Sequence, residues 1–497
     1  MSEDDLDSLP DSRPDGRSGA RHAPYGAENE RDGDLLVEDH ASLDEDDRLK
    51  PDFVTAVLDA VEDGRDEQAR DLVAPLHPAD IADLLELLPG EQRAAVATAL
   101  GDLVGAEVLS ELNDYVREDI VEALGHQQLA DIASELDTDD AVAIIEDLEE
   151  ADQQAVLDAM EPEDRAAIES ALSYPEESAG RLMQRDLIAV PEHMTVGQVT
   201  DYLRDGDNSG ADLTTDFWEI FVVDAAHRPI GTCQLSWVLT CPRTIAIADV
   251  MKREHTLIPV DMDQEEVALR FQKYALISAA VVDPGGRLVG MITVDDVVHV
   301  IQQEAGEDVL RLSGAGDGDI NEPVLESYKA RVRWLLTNLF TALLASTIIA
   351  LFEHTIERMV ALATLMPIVA GVGGNAGSQT MAVTVRALAT NQITQSNTWR
   401  SVRREIQVAL MNGGTVAVAL GIGVSLVFHD TNLGMVIAAA MMTNILTAGL
   451  AGVAVPLIFD RLDQDPAVAS SIFVTMITDS MGFFAFLGLA TLTGIAG

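Results

Sequence analysis

Apolar residues recur at helical spacing from residue 52 onward, and a longer period lies over that spacing. Leu76, Leu88, Leu100, Leu112, Leu124, Leu136, Leu148, Met160 and Leu172 stand twelve residues apart. Turn and cap residues follow several of these anchors, as in Leu76-His-Pro, Leu88-Pro-Gly, Leu136-Asp-Thr-Asp and Met160-Glu-Pro. Each unit therefore reads as one short helix and a turn. Such units cannot bury their apolar faces alone, so residues 52–173 are expected to stack as an α-helical solenoid, the N domain.

The pattern then shortens. Ile220-Phe-Val-Val and Ala279-Ala-Val-Val, each followed by Asp and a Gly-containing turn, read as β-strands, and Thr293-Val-Asp-Asp-Val-Val opens a helix. Met183, Pro191 and Val199 return 68 residues later as Met251, Pro259 and Val267, while Val223, Asp224 and Gly231 return 59 later as Val282, Asp283 and Gly290. The difference is an insertion in the first copy, placed at the polar Asp205-to-Asp216 loop. This tandem α/β pattern, above all Gly286-Arg-Leu-Val-Gly-Met-Ile-Thr-Val-Asp-Asp, resembles a pair of CBS domains, 174–244 and 245–306. The resemblance implies a regulatory module, of a kind that often binds adenine nucleotides or ions.

A linking helix is expected over 307–328, and beyond it the pattern becomes continuously apolar, defining a transmembrane domain at 329–497. The runs 334–352, 359–385, 406–428 and 433–459 each reach the roughly 20 residues a bilayer span needs. A fifth, 467–495, is interrupted by one acid, Asp479. The expectation is five helices that cross the membrane. Lys329, Arg331, Arg333, Arg400, Arg403, Arg404 and Arg461 fall in alternate loops, so the positive-inside rule sets the N-terminal domains in the cytoplasm and the C-terminus outside a cell membrane.

Charge sharpens this division. Of 497 residues, 31 are basic and 84 acidic, but from Lys329 onward there are 9 and 8, leaving 22 and 76 before it. Nucleic acid is thereby excluded as a partner, because phosphate binding needs a basic footprint. Divalent cations suit the acidic part, although a net charge of −53 also fits a protein dissolved in a salt-rich cytoplasm. Two cysteines form no disulfide framework, and the N-terminus has neither the basic nor the apolar region of a signal peptide. Residues 1–51 read as an acidic disordered tail.

Asp479 is the only ionisable residue well inside a span. An intramembrane acid either pairs with polar neighbours such as Thr475, Thr478 or Ser480, or lines a water-filled cation path; with no base in the spans, the second account is preferred. The second span carries Gly373-Gly-Asn-Ala-Gly-Ser-Gln. Gly373, Gly374 and Gly377 read as close helix packing, while Asn375, Ser378 and Gln379 need polar partners or water. On a helix Glu304, Glu307 and Asp308 share one face, and Asp465 before the last span supplies an opposing acid; these are a solvated acidic face unless cations bridge them.

The order of solenoid, paired CBS domains, linking helix and five spans resembles the MgtE family of magnesium channels over residues 52–497. Its specific pieces are Tyr174-Pro-Glu-Glu-Ser-Ala-Gly-Arg-Leu-Met, Ala330-Arg-Val-Arg-Trp-Leu, the Gly373 motif, Arg386-Ala-Leu-Ala-Thr and Thr478-Asp-Ser-Met-Gly. The resemblance implies a homodimer with Asp479, Asn375 and Ser471 along a Mg2+ pore. It also implies cytosolic Mg2+ ligands at Asp296, Glu304, Glu307, Asp308 and Asp465, with Glu265 and Asp139 at domain contacts. His299, Ala275 and Ala143 stand where the family pattern has acids. The function expected is a Mg2+-selective channel closed by cytosolic Mg2+, with ATP as a regulatory ligand of the CBS pair. The alternative is a secondary transporter of other divalents such as Co2+ joined to an ion or nucleotide sensor, though no His/Cys cluster favours softer metals. An enzyme is not expected: no HExxH, GxSxG or P-loop is present.

Overall fold

A computed structural model describes residues 42–497, apart from 122–123, 147, 205–216, 254–255, 315–317, 319, 395, 463, 468–469 and 496–497 and the side chains of Asp308 and Ser470. Most of the expected acidic tail, the Asp205-to-Asp216 insertion and the Asp308 carboxylate thus lie outside the described parts. The tail also ends before residue 51. Asp44 Oδ1 accepts from the backbone N–H groups of Asp46 and Arg48, Leu43 bridges Leu49, and Leu49 packs on the first core. A carboxylate that caps its own turn gives a charged segment a fixed conformation.

The first part is helical, running from α1 (Pro51–Glu62) and α2 (Asp66–Val73) through α3 (Pro78–Glu86), α4 (Gly90–Leu100), α5 (Ala106–Glu111), α6 (Asp114–Val121), α7 (His126–Ala133), α8 (Thr138–Glu146) and α9 (Glu150–Ala159) to α10 (Pro162–Leu172). Pro at the first helical position starts α1, α3 and α10, where its missing N–H has no intrahelical partner to lose. All nine anchors of the twelve-residue period lie in or against one apolar core. Buried Arg93 caps the end of α3, donating to the carbonyls of Leu85 and Leu88, and also reaches Asp119 and, at 2.8 Å, Asn321 of the linker ahead of the membrane helices.

Two three-stranded sheets follow, β1 (Ala189–Pro191), β2 (Glu219–Val223) and β3 (Pro229–Gln234), then β4 (Leu257–Pro259), β5 (Ser278–Val282) and β6 (Leu288–Thr293). Each has one parallel and one antiparallel ladder, with the same irregularity at Val222/Val223 and Val281/Val282. The two copies exchange their entering segments. Gln184, ahead of the first copy, pairs with Met291 of β6, and Lys252, ahead of the second, pairs with Thr232 of β3. Met183 accordingly sits in the core of the second copy and Met251 in that of the first. Gly231 and Gly290 make room for this: a Cβ there would meet Met251 Sδ at 2.8 Å or Met183 Sδ at 2.6 Å. No cut at 244/245 separates the copies physically.

The second copy ends in α11 (Val294–Ser313), opened by a Thr293–Asp296 capping box and closed by Gly314 in the left-handed region. This helix runs unbroken through the expected boundary at 306/307, so the linking acids ride on a continuation of the CBS fold. Five longer or membrane-adjacent helices follow: α12 (Val324–Leu351), α13 (Ala361–Ala389), α14 (Thr398–Phe428), α15 (Thr431–Arg461) and α16 (Ser470–Leu492). By length and composition α12, α14, α15 and α16 qualify as candidate spans among the described residues. The helix α13 falls narrowly short of the same measure, its glycine and amide residues offsetting its apolar ones.

Candidate functional site

The composition that sets α13 apart divides it into two faces. Leu365, Val369, Gly373, Gly377, Met381 and Thr384 are buried, whereas Gly371, Asn375, Ser378 and Gln379 are exposed on the protomer. The buried glycines admit neighbours. A Cβ on Gly377 would meet Val474 Cγ1 at 2.7 Å and Thr478 Cγ2 at 3.3 Å on α16, and one on Gly373 would collide with the Asn444 amide of α15. Gly374 does not share this packing, for a Cβ there would meet nothing within 4 Å.

Thr478 is fully buried and bonds back to the Thr475 carbonyl, so the next residue, Asp479, turns toward the half-exposed side of α16. No ion pair joins Asp479 to another described residue. The Gly377–Thr478 contact brings Asp479 and the Asn375 face to one level of the helix bundle. Ser471 lies two turns earlier on α16 and is half-buried.

At the junction of soluble and membrane parts, the expected acids are met by a base. Arg311 pairs with Glu307 one turn before it and donates to Asp465 Oδ2 at 2.8 Å, while Asp465 Oδ1 accepts the Ala467 N–H. The next side chain, Leu312, packs against Met381, Val385, Val455, Ala467 and Val474 of the bundle. Glu304 points elsewhere, accepting from Gln264 Nε2 at 2.8 Å beside Glu265. Glu304 and Glu307 are therefore not held as one ligand set. Arg311 was missed in the sequence, although its i+4 spacing from Glu307 marked the pair.

Asp139 and Asp140 at the start of α8 meet Asp296 at the start of α11. Asp139 is 8% exposed and its Oδ1 has no partner. Burial, then the charges of Asp296, Asp140 and Asp137, push the Asp139 carboxyl well above the usual range. Burial likewise raises Asp140 and Asp296 to about 6 each, with Asp296 adding to the rise at Asp140 and Arg117 and His299 opposing it. Asp296 is meanwhile bonded to Thr293 and Gln184. Among the described residues no three Asp, Glu, His or Cys side chains form a closed metal-ligand set. An orphaned carboxylate oxygen among like charges nonetheless fits a cation that keeps most of its water, as Mg2+ does.

A cavity of about 1070 Å3 opens between the CBS copies, where Glu219 and Ser278, at the starts of β2 and β5, are joined by a 3.1 Å hydrogen bond. Lys252, Arg270, Lys273 and Tyr274 give it cations and a ring, and Thr390 and Asn391 at the end of α13 reach its wall.

The helical and α/β parts are thus joined to a bundle of long helices of which, among the described residues, four are long and apolar enough to cross a membrane, the organisation of a membrane protein. The family profile described as divalent cation transporter, MgtE, matches residues 366–489, that of the MgtE intracellular N domain matches 76–177, and that of the CBS domain matches 247–303. The magnesium transporter MgtE of Thermus thermophilus is 33% identical over 88% of this chain and 98% of its own, and that of Enterococcus faecalis is 30% identical over 65% and 70%. A solved cytosolic domain of the Mg2+ channel MgtE in complex with ATP aligns at 33% identity and a TM-score of 0.45, over 50% of this chain and 99% of its own. The chain belongs to the MgtE family of magnesium transporters.

Proposed function

We propose that this protein is a Mg2+-selective channel, closed by cytosolic Mg2+, that carries magnesium inward through the pore of a homodimer. The observation that supports it best is Asp479, an unpaired carboxylate in a membrane helix, level with the exposed Asn375 face of α13. Two copies of Asp479 about a dimer axis form a small acidic ring that concentrates a divalent cation. Because Mg2+ gives up water reluctantly, one carboxylate layer acting on its hydration shell selects it without trapping it, and Asn375 offers amide contacts to the same shell.

In this reading the soluble part is an α-solenoid (52–173) followed by the two CBS domains, and all five long C-terminal helices span the membrane with the soluble part in the cytoplasm. The exposed polar face of α13, with Asn375, Ser378 and Gln379, then faces water, not lipid. Cytosolic Mg2+ closes the pore by neutralising Asp139, Asp140 and Asp296 between the N domain and the second CBS copy, and Glu307 with Asp465 at the junction. Glu304 and Glu265 add acids to that surface, and Asp308 is proposed as a further ligand. The closed state binds more Mg2+, and the shift is bounded by that differential affinity. The cavity between the CBS copies, with its three bases and Tyr274, supports ATP as a regulatory ligand there.

The test is uptake into proteoliposomes with Mg2+ as the sole permeant divalent. A channel conducts independently of proton and sodium gradients and slows as Mg2+ rises on the cytoplasmic side. Uptake that requires either gradient returns the protein to the secondary-transporter reading.

A further inference from the structure

One fully buried amide side chain of the bundle belongs to no motif discussed so far. Asn444, in the middle of α15, is 0% exposed. Its Nδ2 donates to the Val369 carbonyl of α13 at 2.9 Å, and its Oδ1 has no partner. Two glycines on different helices form the walls around it. A Cβ on Gly373 of α13 would collide with the amide, and one on Gly482 of α16 would meet Nδ2 at 2.7 Å, Cγ at 3.0 Å and Oδ1 at 3.2 Å. Gly482 lies one turn after Asp479, and Gly373 two residues before Asn375.

Stability alone gives no reason for an amide in this slot. Leu has nearly the same shape, fills the space and leaves no acceptor unpaired in an apolar interior, where such a group costs free energy. What Leu cannot supply is a directional bond to the α13 backbone. We propose that Asn444 is a positioning residue for ion discrimination: its amide keys α13 to α16 and so fixes the spacing between the Asn375 face and Asp479. This rests on the reading of Asp479 as the pore carboxylate. A spacing set by one rigid amide discriminates between hydrated ions of different size, such as Mg2+ and Ca2+.

The experiment uses the full-length protein in proteoliposomes, with Mg2+ and Ca2+ uptake measured in parallel and detergent-solubilised thermal stability and size as controls. Asn444→Leu is expected to keep its melting temperature and size while the Mg2+ over Ca2+ uptake ratio falls about three- to tenfold, the scale of one directed hydrogen bond. Gly482→Ala, which presses a methyl on the same amide, is expected to lower the ratio similarly. Asn444→Ala with Gly482→Ala should cost less than the sum of the two, since removing the amide makes room for the methyl. An unchanged ratio in Asn444→Leu, or additive effects in the double variant, overturns the proposal. If Asn444→Leu does not fold, Gly482→Ala and the non-additivity decide alone. Asp479→Asn separates the two readings: loss of uptake there with a normal ratio in Asn444→Leu defeats only the positioning role, whereas normal uptake in Asp479→Asn defeats the pore assignment itself.

Discussion

Arg311 donates to Asp465 at 2.8 Å while also pairing with Glu307, so a tethered guanidinium lies between the two acids that a gating cation would bridge. One side of this contact is the helix that continues the second CBS copy, and the other is the loop leading to the Asp479 helix. Leu312, the next residue, inserts into the bundle. The contact thus joins the soluble part to the Asp479 helix, and under the proposed gating a bridging ion would compete with a charge already in place.

Removing that charge as Arg311→Gln should leave Glu307 and Asp465 repelling at low Mg2+ and joined at high Mg2+. The pairs are about one-third exposed, so each contributes about 1 kcal/mol or less. The expected outcome is a gate looser by a few-fold without Mg2+ and more steeply dependent on it. Limited proteolysis across a Mg2+ titration reads this directly: α11 should lose protection in the variant at zero Mg2+ and regain it with the ion. Unchanged protection at zero Mg2+ would show that the guanidinium holds nothing.

Asp479→Asn should fold and dimerise normally, because the carboxylate has no ion-pair partner in the protomer to lose. Mg2+ uptake should fall by about tenfold or more, the scale on which a ring of charge concentrates a divalent cation. Asp479→Ala should be at least as harmful. Wild-type uptake at matched protein levels contradicts the assignment.

The glycines of α13 separate by face. Gly373→Ala and Gly377→Ala press on Asn444 and Val474 and should destabilise by about 1–3 kcal/mol, the usual cost of overpacking. Gly374→Ala adds a methyl to open space and should leave thermal stability and detergent-solubilised size unchanged. Asn375→Ala should alter the Mg2+ over Ca2+ ratio with the fold intact. Equal melting temperatures for all three glycine variants would mean the two faces are wrongly assigned.

Much of this was legible in the sequence because the signals are periodic or local. The nine anchors of the first core, the 68- and 59-residue offsets and the lone acid at 479 need only the chain itself. What stayed hidden depends on contacts between distant segments. Nothing in Met183 or Met251 says that each enters the core of the other CBS copy. Asn444 was not singled out in the sequence, and only the facing Gly373 and Gly482 give it a role. The linking acids were read as one repelling face because Arg311 was counted as bulk charge, and the break expected at 306/307 disappeared once the capping box at Thr293 opened a helix long enough to carry them.

Under the proposed gating, the acids between the N domain and the second CBS copy should make closure sensitive to protons as well as to Mg2+. With the two parts docked, Asp140 and Asp296 stand at about 6 against an ordinary 3.8 and Asp139 is raised well above it, chiefly because burial disfavours charge. Facing them are Asp137, Asp295, Arg117 and His299. A carboxyl whose pKa is higher docked than undocked binds more protons docked, so docking weakens as pH rises from about 4 through 6 and above. Without Mg2+, protection of α8 from hydrogen exchange should therefore be greater at pH 5.5 than at pH 8. Mg2+ and protons neutralise the same oxygens, so protons replace part of the Mg2+ required, and the Mg2+ concentration at half-protection should decrease as pH falls through 6. Asp139→Asn with Asp140→Asn removes most of the repulsion and two of the three titrating groups, and should leave docking stronger at pH 8 and less sensitive to pH and to Mg2+, with Asp296 alone titrating. A wild-type Mg2+ midpoint that stays fixed across this range would mean that these three acids do not bind the gating ion.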